Sequence, residues 1–168
     1  MNNPVVIGNL VSLVGCILMV LVGFIRKRQT ILTVQCFQFG FQGAANLILG
    51  GISGFVSGVV SIIRNLAFFR GRKSVILKLL FMAVQILLSA DHLHGLIEWF
   101  PIISAAIYTW FLDSDKESVL KASIIEAQVL WLVYDLFYLN YTAALFDAFT
   151  ILSNFIGILM VKRSPRSN

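Results

Sequence analysis

PVVIGNLVSLVGCILMVLVGF, residues 4–24, followed almost at once by Arg26-Lys27-Arg28, decides the class of this chain. About 20 residues run without a charge, which is the length a helix needs to cross the hydrocarbon core of a bilayer. The basic cluster behind it is what holds such a helix at a headgroup surface. Outward from that stretch the rest of the chain agrees. Its 168 residues are 58% apolar and only 12% charged, and the mean hydropathy is +0.88. Soluble domains carry about 25% charge, so a water-facing globule is excluded. At about 20 residues per span, the chain holds seven or eight spans and leaves no length for an extramembrane domain.

Long apolar stretches predict seven helices, at Pro4–Phe24, Ile31–Leu49, Gly51–Phe69, Val75–Ala90, Gly95–Leu112, Val119–Tyr138 and Tyr141–Val161. The connections are short and hold no linker, low-complexity segment or second domain. With seven spans every loop cation falls on one side: Arg26, Lys27 and Arg28; Arg70, Arg72, Lys73 and Lys78; Lys116 and Lys121; Lys162, Arg163 and Arg166. The opposite connections contain no Lys or Arg. This bias predicts a multi-pass protein with its N-terminus outside and its C-terminus in the cytoplasm. The net charge of +5 is then topological. A nucleic-acid partner is excluded, because the cations are scattered over four short segments with no groove-reading module. The first helix is expected to stay, since no basic residue precedes its apolar run. Cys16 and Cys36 lie inside predicted spans and read as packing residues.

Seven helices of this polarity divide as three, one linker, then three, making two parallel repeats. The expected parts are a first bundle at 1–70, a linker helix at 71–94 and a second bundle at 95–168. A shift from position 46 to position 135 lays Gln42-Gly-Ala-Ala-Asn46 on Trp131-Leu-Val-Tyr-Asp135. The same shift pairs Asn65 with Asn154, and one extra helical turn pairs Ser61 with Asn154 instead.

Polar groups at membrane depth are costly and face a cavity or a partner. Gln38, Gln42, Asn46, Arg64, Asn65, Glu126, Gln128, Asp135, Asp147 and Asn154 are the ones to explain. Asp147 and Asn154 share a face of the last helix, which is the best candidate for a pathway lining. Asp135 or Asp147 would couple passage to protons. The plainer reading makes the amides interhelical hydrogen bonds and pairs Asp147 with Arg64 as a buried ion pair. Trp131 is the one tryptophan deep enough to touch a solute, against a packing role. Gly50, Gly54 and Gly58, with Ser57 and Ser61, allow close backbone approach, as a packed inner helix or a homodimer seam.

Asp91, His92, His94 and Glu98 would be a metal site only in a solvated loop with unsuitable spacing, so no metal is expected. No phosphate loop, nucleophile elbow or zinc-protease motif appears, and no Gly-x-Gly-Asp precedes either aspartate. Neither enzyme chemistry nor a cofactor is expected.

Several pieces in order, the basic turn after the first helix, Gln42–Asn46 through Leu49-Gly50, Ser61-Ile-Ile-Arg64, Pro101 followed by Thr109-Trp110-Phe-Leu112, Trp131–Asp135 and Asp147 followed by Asn154, resemble the YgjV-type bacterial inner-membrane proteins. That family is distantly similar to PQ-loop and SWEET-like transporters. The resemblance implies a solute held between two three-helix bundles, faced by Asn154 and either Asn65 or Ser61. The Pro-Gln pair is absent here, and the first helix has no proline opposite Pro101.

The reading is an all-α, seven-helix protein of the bacterial cytoplasmic membrane that moves a small polar solute by rocking two bundles. Its candidate binding residues are Asn154, Asn65, Ser61, Trp131, Asp147, Asp135 and Asn46, with Arg64 and Asp147 as a coupling pair. The alternative is a non-transporting scaffold or accessory subunit, docking through the Gly50, Gly54 and Gly58 stripe.

Overall fold

A computed structural model describes residues 3–22, 25, 27–70, 74–93, 95–114 and 116–163. Among the described residues there are seven α-helices and no strand: α1 Pro4–Val22, α2 Arg28–Leu49, α3 Ile52–Phe68, α4 Val75–Ser89, α5 Phe100–Phe111, α6 Glu117–Phe137 and α7 Tyr141–Arg163. Each expected helix is present. The differences lie at the ends and have local causes.

α2 begins three residues before the apolar run, because Gln29 and Thr30 carry no hydropathy signal but do extend a helix, and Thr33 Oγ1 donates back to the Gln29 carbonyl at 3.0 Å. α5 begins at Phe100, later than its apolar stretch. Pro101 has no N–H and suits the first turn of a helix, not its interior, so Leu96–Trp99 forms a separate 3-10 turn. α2 ends at Gly50, whose φ of 87° is the left-handed conformation that closes a helix, and α3 starts after Gly51. The expected end of α1 at Phe24 lies outside the described residues, as do Arg26, Arg72, Lys73, His94 and Arg166.

Two helices, Pro4–Val22 and Tyr141–Leu159, are long and apolar enough to cross a membrane by length and composition; α3, α4 and the Leu96–Phe111 stretch are apolar and shorter. The distribution of side chains supports a lipid environment for the rest. Ile76, Leu87 and Leu96 are 81%, 73% and 82% exposed, while Gln35, Asn46, Arg64, Asn65, Asp135, Asp147 and Asn154 are buried. Apolar groups outside and polar groups inside reverse the arrangement that water would select.

The helices close into a ring. α1 packs on α2 and α7, α2 on α3, α5 on α6, α6 on α7, and α3 touches α5. α4 lies against α3 and α5. Asn9 closes the α1–α7 seam, donating to Leu139 O at 3.1 Å and accepting from Thr142 N at 2.8 Å. Short connections make neighbours antiparallel. One end of the ring therefore gathers exposed Lys27, Arg70 and Lys116, and is called the basic end; Asp91 and Glu98 lie at the far end. At the basic end Lys78 is buried and bonds Asp113 Oδ1 at 2.6 Å and Trp110 O at 2.7 Å. It ties α4 to the end of α5 instead of reaching outward alone.

The small-residue stripe of α3 is filled by this chain. A methyl group on Gly54 would lie 2.7 Å from Asn46 Nδ2 and 2.9 Å from the Tyr134 ring, and one on Gly58 would lie 3.0 Å from Phe39 O. Gly50 sits apart, exposed in the α2–α3 turn. Of the two roles expected for the stripe, a packed inner helix or a homodimer seam, Gly54 and Gly58 show the first. Close approach at Gly54 and Gly58 serves α3 against α2 and α6.

Candidate functional site

Four helices turn a polar stripe toward the ring axis. α2 places Gln35, Gln38, Gln42 and Asn46 there, α3 places Ser53, Ser57, Ser61, Arg64 and Asn65, α6 places Gln128, Trp131 and Asp135, and α7 places Asp147 and Thr150. Spacings of three and four residues keep each stripe on one face. Along the axis these groups form two bonded layers with cavities between them.

At the far end the Tyr134 hydroxyl lies 3.1 Å from Ser53 Oγ and accepts from Gly54 N at 3.0 Å. Gly54 is in the first turn of α3, where backbone N–H groups have no partner within the helix, so a side chain of α6 caps α3. Ser53 Oγ donates to Glu98 Oε2 at 2.5 Å, and Tyr138 donates to the other oxygen of that carboxylate. Glu98 is thus tied into this layer, not free for a metal. Among the described residues no group of three or more metal-ligating side chains forms.

Removal of the Tyr134 hydroxyl strips the cap from α3. Tyr134→Phe is expected to lower stability by about 1–2 kcal/mol, read as a fall in the melting temperature of the detergent-purified protein. An unchanged melting curve would mean that the cap contributes nothing.

Below this layer a cavity of about 30 Å³ is lined by Asn46, Asp135, Asp147, Gln42, Gln128 and Trp131 among others. Gln128 Nε2 donates to Asp147 Oδ1 at 3.0 Å, and Asn140 Nδ2 to Asp135 Oδ1 at 3.2 Å. Gln42 is oriented by α1, accepting from Ser12 Oγ at 2.9 Å. A second cavity of about 50 Å³ follows, lined by residues of all six ring helices, including Ser57, Ser61, Ser104, Thr150 and Arg64. Gln38, Phe39, Gln128, Met19 and Trp131 border both. A water needs roughly 10–15 Å³ of such space, so the two hold a few waters and nothing as large as a sugar.

The layer at the basic end is built on Arg64, which is 2% exposed. Its guanidinium donates to Thr109 Oγ1 at 3.0 Å and to Asn65 Oδ1 at 3.1 and 3.3 Å, and lies 4.9 Å from the centre of the Tyr108 ring. Asn65 Nδ2 and the Tyr108 hydroxyl both donate to Gln35 Oε1, at 3.2 and 2.9 Å. Neutral acceptors and an aromatic face therefore hold this cation.

Of the expected site residues, Ser61, Trp131, Asp135, Asp147, Asn46 and Arg64 line the two cavities. Asn65 faces Gln35 and Arg64. Asn154 is buried and donates to its own helix at Thr150 O, 2.9 Å away. The suggested ion pair of Arg64 with Asp147 is corrected: Arg64 bonds Thr109 and Asn65, whereas Asp147 accepts from Gln128 and faces Asp135. Glu126, singled out for its depth, is exposed on the outer face of α6. Tyr108, Thr109, Tyr134, Ser53 and Gln35 were not anticipated as partners. The regular i, i+4 placement of Ser53, Ser57, Ser61 and Asn65 was the signal that α3 has a polar face.

A family model described as a bacterial inner membrane protein, Imp-YgjV, matches residues 6–164. No curated protein and no solved structure matches the chain. With the match spanning nearly its whole length, the chain belongs to the Imp-YgjV family of bacterial inner membrane proteins.

Proposed function

We propose that this protein carries a small polar solute across the bacterial inner membrane by opening the two ends of its polar axis in turn. All seven helices then span, with the N-terminus outside and the basic end in the cytoplasm. Residues 1–70 and 95–168 act as two parallel three-helix bundles, and 71–94 links them. No bond of the solute is made or broken.

One observation carries the reading. The cavities are closed at both ends by hydrogen bonds that run between the first three helices and the later part of the chain: Ser53 and Gly54 to Glu98 and Tyr134 at one end, Arg64 and Gln35 to Thr109 and Tyr108 at the other. This is the arrangement expected of an occluded conformation. Each layer has two or three such bonds, at about 0.5–1.5 kcal/mol for neutral groups and somewhat more for those to Glu98 and Arg64. Opening one end thus costs a few kcal/mol, within the range that ligand binding can shift. A solute larger than a few waters enters only when a layer parts. Trp131 and Ser61 then offer an aromatic face and a hydroxyl to it. The scaffold alternative loses its motive, because the small-residue face it needs is occupied by Asn46, Tyr134 and Gly43.

A melting-temperature screen over sugars, nucleosides, amino acids and polyols identifies the solute class, followed by uptake of the stabilising compound into proteoliposomes. Trp131→Ala is expected to cut uptake by about tenfold. If no compound shifts the melting temperature and no candidate is taken up, the transport reading is wrong.

A further inference from the structure

We propose that Asp135 and Asp147, with the amide oxygen of Asn46, form a binding site for one small monovalent cation, sodium, within the buried axis. The site goes beyond solute passage and stands on its own geometry. Asp135 of α6 and Asp147 of α7 are 4% and 2% exposed, and both line the smaller cavity. The described cations with assigned contacts lie elsewhere. Arg64 bonds Thr109 and Asn65, and Lys78 bonds Asp113. Lys121 lies beside Gly157. That is ten residues beyond Asp147, about 15 Å along α7.

The second observation adds an oxygen that belongs to neither acid, the amide oxygen of Asn46. Asn46 Oδ1 and Asp147 Oδ2 are fully buried, border the same cavity, and receive no hydrogen bond. Both orphans are acceptors. Two amide donors are already placed, Gln128 on Asp147 Oδ1 and Asn140 on Asp135 Oδ1. What the cavity lacks is positive charge. A neutral water would bond the orphan oxygens but would bring no charge to a buried carboxylate.

Size and donor set select the ion. The cavity, about 30 Å³, has no room for a hydrated ion. Magnesium keeps several waters, and calcium takes six to eight oxygens. Two carboxylates and one amide supply about five. Oxygen ligands of high field strength favour sodium over the larger potassium. One sodium leaves a single negative charge, which the amide N–H groups of Gln128 and Asn140 stabilise.

The test uses the full chain in detergent with no solute present, so its outcome is separate from that of the uptake reading. Sodium chloride is expected to raise the melting temperature saturably above that in equal potassium or choline chloride. Asp147→Asn should weaken the apparent sodium affinity by about tenfold or more, and Asn46→Ala should weaken it less. A second readout serves if the aspartate variant fails to fold. With Trp99 and Trp110 replaced by Phe, sodium should change the fluorescence of Trp131, which borders the same cavity. Equal melting and equal fluorescence in the three salts overturns the site, and so does an apparent sodium affinity that is unchanged in Asp147→Asn.

Discussion

Gly54→Leu is expected to abolish the folded monomer, and Gly54→Ala to cost about 3 kcal/mol, the upper end of what overpacking costs. The reason lies in what surrounds that α-carbon. Even the first added carbon would fall 2.7 Å from Asn46 Nδ2 and 2.9 Å from the ring and hydroxyl of Tyr134. Tyr134 is fully buried and is held by Ser53 and by the N–H of Gly54 itself, so the ring cannot retreat without uncapping α3. A leucine would have to displace α3 from α6. Gly40→Leu is the control, because a β-carbon there meets nothing within 4 Å and the position is exposed. Size-exclusion profiles of the two variants decide the matter. A Gly54→Leu protein that elutes as a stable monomer would show that the stripe is an outer seam after all.

The second large effect falls at the basic end. Arg64→Met is expected to leave the melting temperature within a few degrees of wild type, since an apolar chain of similar reach fills the space and removes a costly buried charge. It should nonetheless open that end. The closed layer loses the bond from the guanidinium to Thr109 of α5, and a hydrogen bond to a charged group contributes about 1.5–3 kcal/mol. Since 1.4 kcal/mol is a factor of ten, a Cys at Ser61 should react with an impermeant maleimide at least about tenfold faster from the basic side. The background needs Cys16 and Cys36 replaced, and Ser61 lines the cavity directly above the layer. Equal labelling with Arg64 present and absent would remove this layer from the closing mechanism.

Much of the fold was legible without coordinates. The uncharged run at 4–24, the cations at alternate connections and the Gly50-Gly51 break mark out helices whose presence the structure confirms. Misplaced ends have local explanations, such as Pro101 starting α5 and polar Gln29-Thr30 extending α2. The candidate site was legible in part. Residue type alone picked out Asp135, Asp147, Asn46, Ser61 and Trp131, because polar and amphipathic groups at membrane depth need a reason to be there. Type could not say what each would meet. Glu126 and Asp135 are both acids of α6 nine positions apart, yet one is exposed and the other lines the axis. Nine residues are two and a half turns, which places them on opposite faces.

By itself the sequence determined the solvent and the helices. Hydropathy accumulates residue by residue along a local segment, so a membrane class, seven helices and a basic end follow from the order of side chains alone. The tertiary structure decided the partners: Arg64 with Thr109 and Asn65 in place of Asp147, Tyr134 capping α3, and Asp135, Asp147 and the unbonded Asn46 Oδ1 around one cavity. The physical reason is one of range. A helix dictates its own faces through a period of 3.6 residues, whereas the occupant opposite each face comes from a helix tens of residues away. Only the closing of the ring fixes which of several polar stripes meet, and at what depth.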